Sequence, residues 1–450
     1  MKIYVIKQNI VLGYLEEKKF NEIIFKYNDE IKKSQYLIGL EEKINISYDG
    51  LFPIFENLLP ENQHISVLKN KNNISTNIEV LLYLESIHGS FKFCKEEDLN
   101  TLILNETSIY NYSEVKKEIL GDYEFPNILE EYKLNVDEDI LHPIDLSKSS
   151  KVIGLSGYQY KFSIKLDEVK KEVIKAENTN YFMKPYNNAY LDYNTKNDSL
   201  YAPYLLINEH LFMSFAKKFG FSIPYNAIIK GNKDYHYIIK RYDRYKNISF
   251  DHEELATLLN MMSNKKYDTT VKKVMQKAKE YISNEDIKEL YSFFIFSIII
   301  GHGDLHSKNI SLINSSNNID TNKKSIAPYY DISTTKIYKD LGTKDIGIKL
   351  LNKTSNIKLD DIIKVGEYID LNKKEVTEVT YKICNFFKQE FLSFFNLYPK
   401  EIKNLEFITN KYRYKVTLEA IYKKYYKQRV DFINKNIIKD DEEKAKDIFS

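Results

Sequence analysis

The stretch Gly301-His302-Gly303-Asp304-Leu305-His306-Ser307-Lys308-Asn309, followed by Tyr330-Asp331-Ile332-Ser333, gathers carboxylates, an amide, imidazoles and an ammonium in a short length of chain. Phosphoryl transfer from ATP needs such a set. One carboxylate accepts the proton of the attacking hydroxyl, and an amide oxygen and a second carboxylate hold the Mg²⁺ that bridges the phosphates. Asp304 and Asn309 stand in the D-x-x-x-x-N spacing of a phosphotransferase loop, and His302 falls where that loop carries its His. Asp, His and Asn beside a Gly-bounded helix end also serve as ordinary caps and turns, so the rest of the chain must decide.

The elements that would position these groups can be read outward from them. A largely apolar run, Leu290 to Ile300, ends at Gly301, which puts Asp304 on a loop just past a buried element. A cation for the phosphates is expected from a β-strand, and Lys184, ending Tyr181-Phe182-Met183-Lys184-Pro185, is the candidate; the competing account is one Lys among many at a strand end. Ile153-Gly154-Leu155-Ser156-Gly157-Tyr158-Gln159-Tyr160-Lys161 offers a phosphate-covering loop, since Gly lets backbone N–H groups approach closely; a plain β-turn fits it too. Lys240-Arg241-Tyr242-Asp243-Arg244 ends a strand where a hinge between lobes would lie. There Lys240, Tyr242 and Asp243 could meet the adenosine, Asp243 at the ribose, or Arg and Asp could form a simple ion pair.

The chain has 450 residues, enough for two or three structural units. Charged residues are 29% and hydrophobic residues 43%, as in ordinary globular proteins, and a net charge of +2 implies no general attraction to nucleic acid or acidic membranes. Two distant cysteines, Cys94 and Cys384, exclude a disulfide scaffold and fit a reducing cytoplasmic setting. No signal-peptide layout opens the chain, and the apolar run Phe293 to Ile300 is too short to span a membrane.

The first hundred residues read as β-rich. A hairpin is expected around Gln8-Asn9, with further strands over Phe20–Tyr27 and Ile44–Tyr48, a short apolar helix within Gly50–Asn62 and a polar loop over Lys69–Asn77. Tyr158–Leu166, Tyr181–Lys184 and Asp234–Arg241 read as strands, and Asn208–Phe219 as a helix closed by Gly220. Beyond about residue 250 the pattern is helical almost throughout. An exposed insert is expected over Ser315–Ser325 and a basic amphipathic helix over Leu405–Ile438. The expectation is an α+β, two-lobed, protein-kinase-like fold: an N-terminal β-rich subdomain over 1–140, a nucleotide-side lobe over 141–246 and a helical lobe over 247–450.

These pieces, in this order over nearly the whole length, resemble the HipA-type serine/threonine kinases, toxins of bacterial HipBA toxin–antitoxin modules. Phe55-Glu56-Asn57-Leu58-Leu59-Pro60-Glu61 is similar to the family's F-x-N-L-L-P-[DE] segment, Ser156 to Lys161 to its S/A-G-x-Q-x-K loop, and Lys184-Pro185 to its ATP-lysine strand. Asn208-Glu209-His210 resembles its N-E helix start, Arg241 to Arg244 its R-F-D-R hinge, Gly301 to Asn309 its G-N-x-D-x-H-x-K-N loop, and Tyr330-Asp331 its Y-D motif.

The resemblance implies ATP and Mg²⁺ as cofactors and Asp304 as catalytic base, with His306 and Lys308 at the phosphates or catalytic loop. Asn309 and Asp331 would bind the metal, and Ser156, Gly157, Lys161, Lys184, Lys240, Tyr242 and Asp243 the nucleotide. It also implies a helix-turn-helix antitoxin as partner, operator DNA reached through it, and a protein substrate such as an aminoacyl-tRNA synthetase. Gly154 stands where the family carries its regulatory serine, which leaves Ser156 as the nearest autophosphorylation candidate, with Ser149 and Ser150 behind it. A small-molecule or lipid kinase, or a catalytically silent co-repressor on the same scaffold, are the alternatives.

Overall fold

The computed structural model describes residues 1–19, 21–60, 63–101, 108–136, 152–153, 159–177, 179–193, 201–320, 323–338, 341–408 and 415–438. Strands β1 (Lys2–Lys7) and β2 (Ile10–Lys19) form the expected hairpin. Gln8 and Asn9 take φ of 48° and 59°, the left-handed pair whose twist matches that of the flanking strands. Strands β3 (Glu22–Tyr27) and β4 (Ile44–Ser47) follow, then helices α1 (Pro53–Glu56), α2 (Gln63–Asn72) and α3 (Asn77–Val80), and strands β5 (Leu84–Glu85) and β6 (Lys92–Lys95). The five-stranded antiparallel sheet has the order β4-β3-β2-β1-β6, with its own apolar core including Phe25, Phe55 and Leu58. The polar segment from Lys69 departs from expectation. It is helical to Asn72, because Leu68 is buried and anchors one face while lysine tolerates a helix on the other.

Next come α4 (Tyr112–Leu120), β7 (Lys133–Asn135), β8 (Val152–Ile153), β9 (Phe162–Asp167), β10 (Glu172–Lys175), β11 (Tyr181–Lys184), α5 (Asn188–Leu191), α6 (Leu205–Phe219), β12 (Asn226–Lys230) and β13 (Tyr235–Lys240). They build a six-stranded sheet of order β12-β13-β11-β9-β10-β7, with α6 packed on β12 and β13. This sheet draws β7 from the segment that the sequence assigns to the first unit, and β8 pairs in parallel with β5, so the units are stitched rather than strung.

The remainder holds β14 (Arg244–Tyr245), β15 (Ile248–Ser249), β16 (His252–Glu254), α7 (Leu255–Leu258), α8 (Val271–Ala278), α9 (Asn284–Ile300), β17 (Ser311–Asn314), β18 (Lys324–Ile326), α10 (Leu359–Glu367), α11 (Lys373–Phe395), α12 (Lys400–Lys403), β19 (Glu406–Ile408), β20 (Lys415–Thr417) and α13 (Leu418–Asn436). It is less uniformly helical than the sequence suggests. A three-stranded sheet β16-β17-β18 and a β19–β20 hairpin interrupt it, and the last helix starts at Leu418, capped by Thr417. The insert after Ser315 is not simply exposed. Asn317 is buried, its side chain accepting from the Tyr110 N–H (2.7 Å) and donating to the Ser108 carbonyl (3.0 Å), and buried Lys324 pairs with Glu253.

Helix α9 is the spine of this lobe. Ser283 caps its first turn, accepting from the Asp286 N–H (3.1 Å), and Glu285 and Asp286 complement its dipole. Its C-terminal half is buried on all sides, and Gly301 ends it at φ +71°. A Cβ at Gly301 would lie 2.4 Å from the Lys336 side chain, so both backbone and space require glycine there. Among the described residues no helix is long and apolar enough to cross a membrane, and Cys94 and Cys384 are buried thiols.

Candidate active site

The loop released by Gly301 faces a cavity of about 970 Å³ between the lobes, lined by Asp304, His306, Lys184, Glu209, Asp331 and Lys161 among others. Lys184 lies at the buried end of β11. Its ammonium donates to both oxygens of Glu209 on α6 (2.7 and 2.9 Å) and to Asp331 Oδ1 (2.6 Å). Asn309 donates from Nδ2 to the other Asp331 oxygen (3.1 Å), and its Oδ1 accepts from the His306 N–H (2.9 Å). The backbone at Asp331 is held in the left-handed region, φ +59°, where a non-glycine residue persists only if its surroundings enforce it; the two side-chain bonds to Asp331 do so.

Electrostatics follow from this convergence. Burial alone would push the Asp331 carboxyl up, but the Lys184 and Lys161 ammoniums hold it well below the usual carboxylate range. Glu209 is more deeply enclosed, and burial raises it to about 7 against the pull of Lys184. Lys184 stays charged: burial opposes its charge, and two carboxylates outweigh that. The Asp331 carboxylate, held by Lys184 and Asn309, supplies the hard oxygens of this wall. Among the described residues no three His, Cys, Asp or Glu side chains cluster as an all-protein cage.

A smaller cavity, about 90 Å³, adjoins the first and shares Lys161, Lys184, Glu209 and Asp331 with it; Phe182, Ile239 and Tyr242 add apolar walls. Tyr242 stacks on Tyr330 (5.6 Å between centroids, 22° between planes). Lys240, Arg241, Asp243, His252 and Glu254 make the rest of its lining polar.

Three expected site residues, Asp243, Lys308 and Lys240, are engaged in bonds within the protein. The Asp243 carboxylate lines the smaller cavity and accepts from Arg241 (2.9 and 2.8 Å), from Arg244 (2.8 Å) and from the Gly89 N–H (2.9 Å), which builds it into a buried ion cluster. Lys308 is buried and turns its ammonium away from the cleft, to Ser263 Oγ (3.0 Å) and the Asn57 carbonyl (3.3 Å); it braces the loop and does not face phosphate. Lys240 sends its ammonium to the Glu118 carbonyl at the end of α4 (2.8 Å). Ser156 and Gly157, with Ser149, Ser150 and Gly154, lie outside the described residues. The structure brings together Asp304, His306, Asp331, Lys184 and Lys161 around one cavity, with Asn309 bonded to Asp331 behind it and Lys240, Tyr242 and Asp243 on the adjoining cavity.

The HipA-like C-terminal domain model matches residues 153–391, and the HipA N-terminal domain model matches residues 3–87. The chain belongs to the HipA family. The HipA chain of the Shewanella oneidensis MR-1 HipA–HipB–operator DNA complex superposes with a TM-score of 0.62 at 15% identity, over 96% of this chain and 97% of that one. This shows that the fold is the two-lobed HipA kinase-like fold. A Haemophilus influenzae protein with a provisional kinase name is 23% identical over 280 residues, 53% of this chain and 76% of its own length. A second such protein, from Sinorhizobium fredii, is 24% identical over 195 residues, 40% of this chain and 47% of its own length.

Within this HipA-family chain the sequence reading left several contributors without a role. Glu209 was visible only as part of an N-E helix start, yet it is the partner of Lys184, the strand-lysine to helix-glutamate pair of kinases. Asn57, in a segment read as core, donates to Thr257 Oγ1 (3.1 Å) and the Met261 carbonyl (2.9 Å) and so joins the first unit to the helical lobe. Tyr267, which donates its phenol proton to Asp304, carried no signal in the sequence.

Proposed function

We propose that this HipA-family chain is an ATP- and Mg²⁺-dependent protein serine/threonine kinase of the toxin type, acting in the cytoplasm on a cellular protein. The observation that carries the reading is Lys184, bridging Glu209 and Asp331 on the wall of the cavity that Asp304 also lines. Bound Mg²⁺ would be held by Asp331 and Asn309 and would neutralise charge on the phosphates. The protein's own groups do the rest. Lys184 is preset by two carboxylates to meet the negative charge of the nucleotide, the smaller cavity walled by Phe182 and Tyr242 receives the base, and Asp304 takes the proton of the acceptor hydroxyl as its oxygen attacks the γ-phosphorus. The P–O bond to the β-phosphate breaks and ADP leaves.

An aminoacyl-tRNA synthetase is the acceptor class that the family resemblance implies. A small helix-turn-helix antitoxin, and operator DNA through it, are the proposed partners; the similarity in fold to the HipA chain of a HipA–HipB–operator complex supports this. The test is transfer from γ-labelled ATP into a lysate of the source cells, wild type beside Asp304→Asn. Label should enter a protein with wild type and fall by about 10² to 10⁴-fold in the variant, the usual worth of a positioned base. Equal labelling by both would overturn the assignment.

A further inference from the structure

Tyr267 is the feature that the proposed reaction leaves unexplained. It sits on the loop between α7 and α8 and its phenol donates to Asp304 Oδ1, the bond that an acceptor hydroxyl must make before it can react. Its placement is fixed from several sides. Ser307 of the catalytic loop donates to the Lys266 carbonyl from both its N–H (3.1 Å) and its hydroxyl (2.8 Å), which ties the backbone before Tyr267 to the loop that carries Asp304. The ring stands edge-on to His306 (5.1 Å, 87°), and the Lys344 and Lys266 ammoniums lie over it at 5.5 and 5.8 Å. The start of the same loop is pinned by Glu56 of the first unit, which accepts from the Ser263 N–H (2.8 Å), and by Lys308, which donates to Ser263 Oγ (3.0 Å).

We propose that Tyr267 is an acceptor-site gate: its phenol holds the hydrogen bond at the exposed Asp304 carboxylate that the acceptor hydroxyl takes over, and in doing so competes with water for Oδ1. The inference rests on the kinase reading above. A protein acceptor has binding surface beyond its hydroxyl with which to displace the phenol, whereas a water molecule has none. The gate therefore sets selectivity between transfer to an acceptor and loss to hydrolysis. The side reaction it suppresses is balanced simply: water oxygen attacks the γ-phosphorus, the bond to the β-phosphate oxygen breaks, ADP and phosphate leave, and the water proton passes to Asp304.

The experiment is ADP release from ATP and Mg²⁺ by the full chain with no acceptor added, for wild type, Tyr267→Phe, Tyr267→Ala and the double variant Tyr267→Phe with Asp304→Asn. ATP affinity and thermal unfolding are measured alongside. Tyr267→Phe keeps the ring and its packing and removes the phenol that bonds Asp304. Acceptor-free hydrolysis should rise by about tenfold, the population shift that one hydrogen bond to a charged group commands. ATP affinity should not change, and the double variant should lose the gain. A merely structural tyrosine would lower stability or affinity and would not raise hydrolysis. Unchanged or slower hydrolysis in Tyr267→Phe, with ATP still bound, would overturn the gate and leave the kinase reading standing. Failure of wild type itself to bind ATP would overturn both. If Tyr267→Ala does not fold, the Phe variant decides alone.

Discussion

Lys184 is where residue-scale physics is most exposed to test. It is buried and makes three short contacts to two carboxylates, so replacing it with Met leaves Glu209 enclosed without a counter-charge. Breaking one side of a buried pair costs about 3 kcal/mol or more. The cost should depend on pH in a definite sense. A carboxyl whose folded-state value lies above its unfolded value of 4.5 stabilises the fold most when protonated, and loses that contribution as pH rises from 4.5 through the folded value. Lys184→Met should therefore be far less stable than wild type at pH 8 and closer to it at pH 5, read by urea unfolding at each pH; a deficit that does not change with pH would count against the pair.

At this scale the sequence was legible for chemistry and blind to partnership. The types and spacing of Asp304, Asn309 and Asp331 name a reaction. The ion pair of Asp243 with its neighbouring arginines is legible locally, but nothing local shows that Lys308 turns inward to Asn57 or that the Asp243 cluster is closed by Gly89 and Ser86, because those contacts are made more than a hundred residues away.

Elements were read well wherever period and punctuation agreed. The β1–β2 hairpin, β11 and α6 with its Gly220 end follow from alternation, a Pro stop and a left-handed glycine. They were misread where tertiary contacts overrule local composition: the helix through Asn72, the buried ends of the insert after Ser315, and the hairpin ahead of α13. The most consequential element contact is also tertiary. Helix α13 grips the C-terminal carbonyls of α9, which the helix itself cannot satisfy. Arg429 donates to Ile299 O (2.8 Å), Ile298 O (2.6 Å) and Asp345 (2.9 Å), and Tyr425 donates to Ile300 O (2.8 Å). These bonds fix the place where the catalytic loop begins. Arg429→Met would leave the buried Ile299 carbonyl unpaired and strip Ile298 O to its bond from the Gly301 N–H, and should cost about 2 kcal/mol in chemical denaturation. Arg429→Lys should recover only part of that, since an ammonium cannot reproduce the fork. A loss below about 1 kcal/mol in Arg429→Met would show that α9 ends independently of α13.

Across the whole molecule one apolar cluster runs from α6 and β13 into α9, α11 and α13, and of four buried histidines three, His88, His252 and His210, stand where the units meet. His88, from the first unit, packs against His252 beyond the hinge (4.7 Å between rings). His210 on α6 meets Tyr398 Oη through Nδ1 (2.7 Å), and His302 follows α9. Burial lowers them all, His252 and His302 to about 4, His210 to about 3 and His88 well below its usual value. The sign is opposite to that of Glu209. As pH falls below 6.5 the unfolded chain takes up protons that the folded chain refuses, so stability drops from about 6.5 down through the folded-state values. Over the same interval Glu209 takes up a proton in the folded state and offsets part of the loss. Asp234, which burial raises to about 7, does the same, so four protons on the unfolded side against two on the folded side give a steepest slope of about 3 kcal/mol per pH unit. The chain should thus melt at sharply lower temperature at pH 5 than at pH 7, and His302→Asn should reduce the slope by about one proton. A melting temperature flat between pH 7 and 5 would mean that these imidazoles reach water, and that the joins between the units are open in solution.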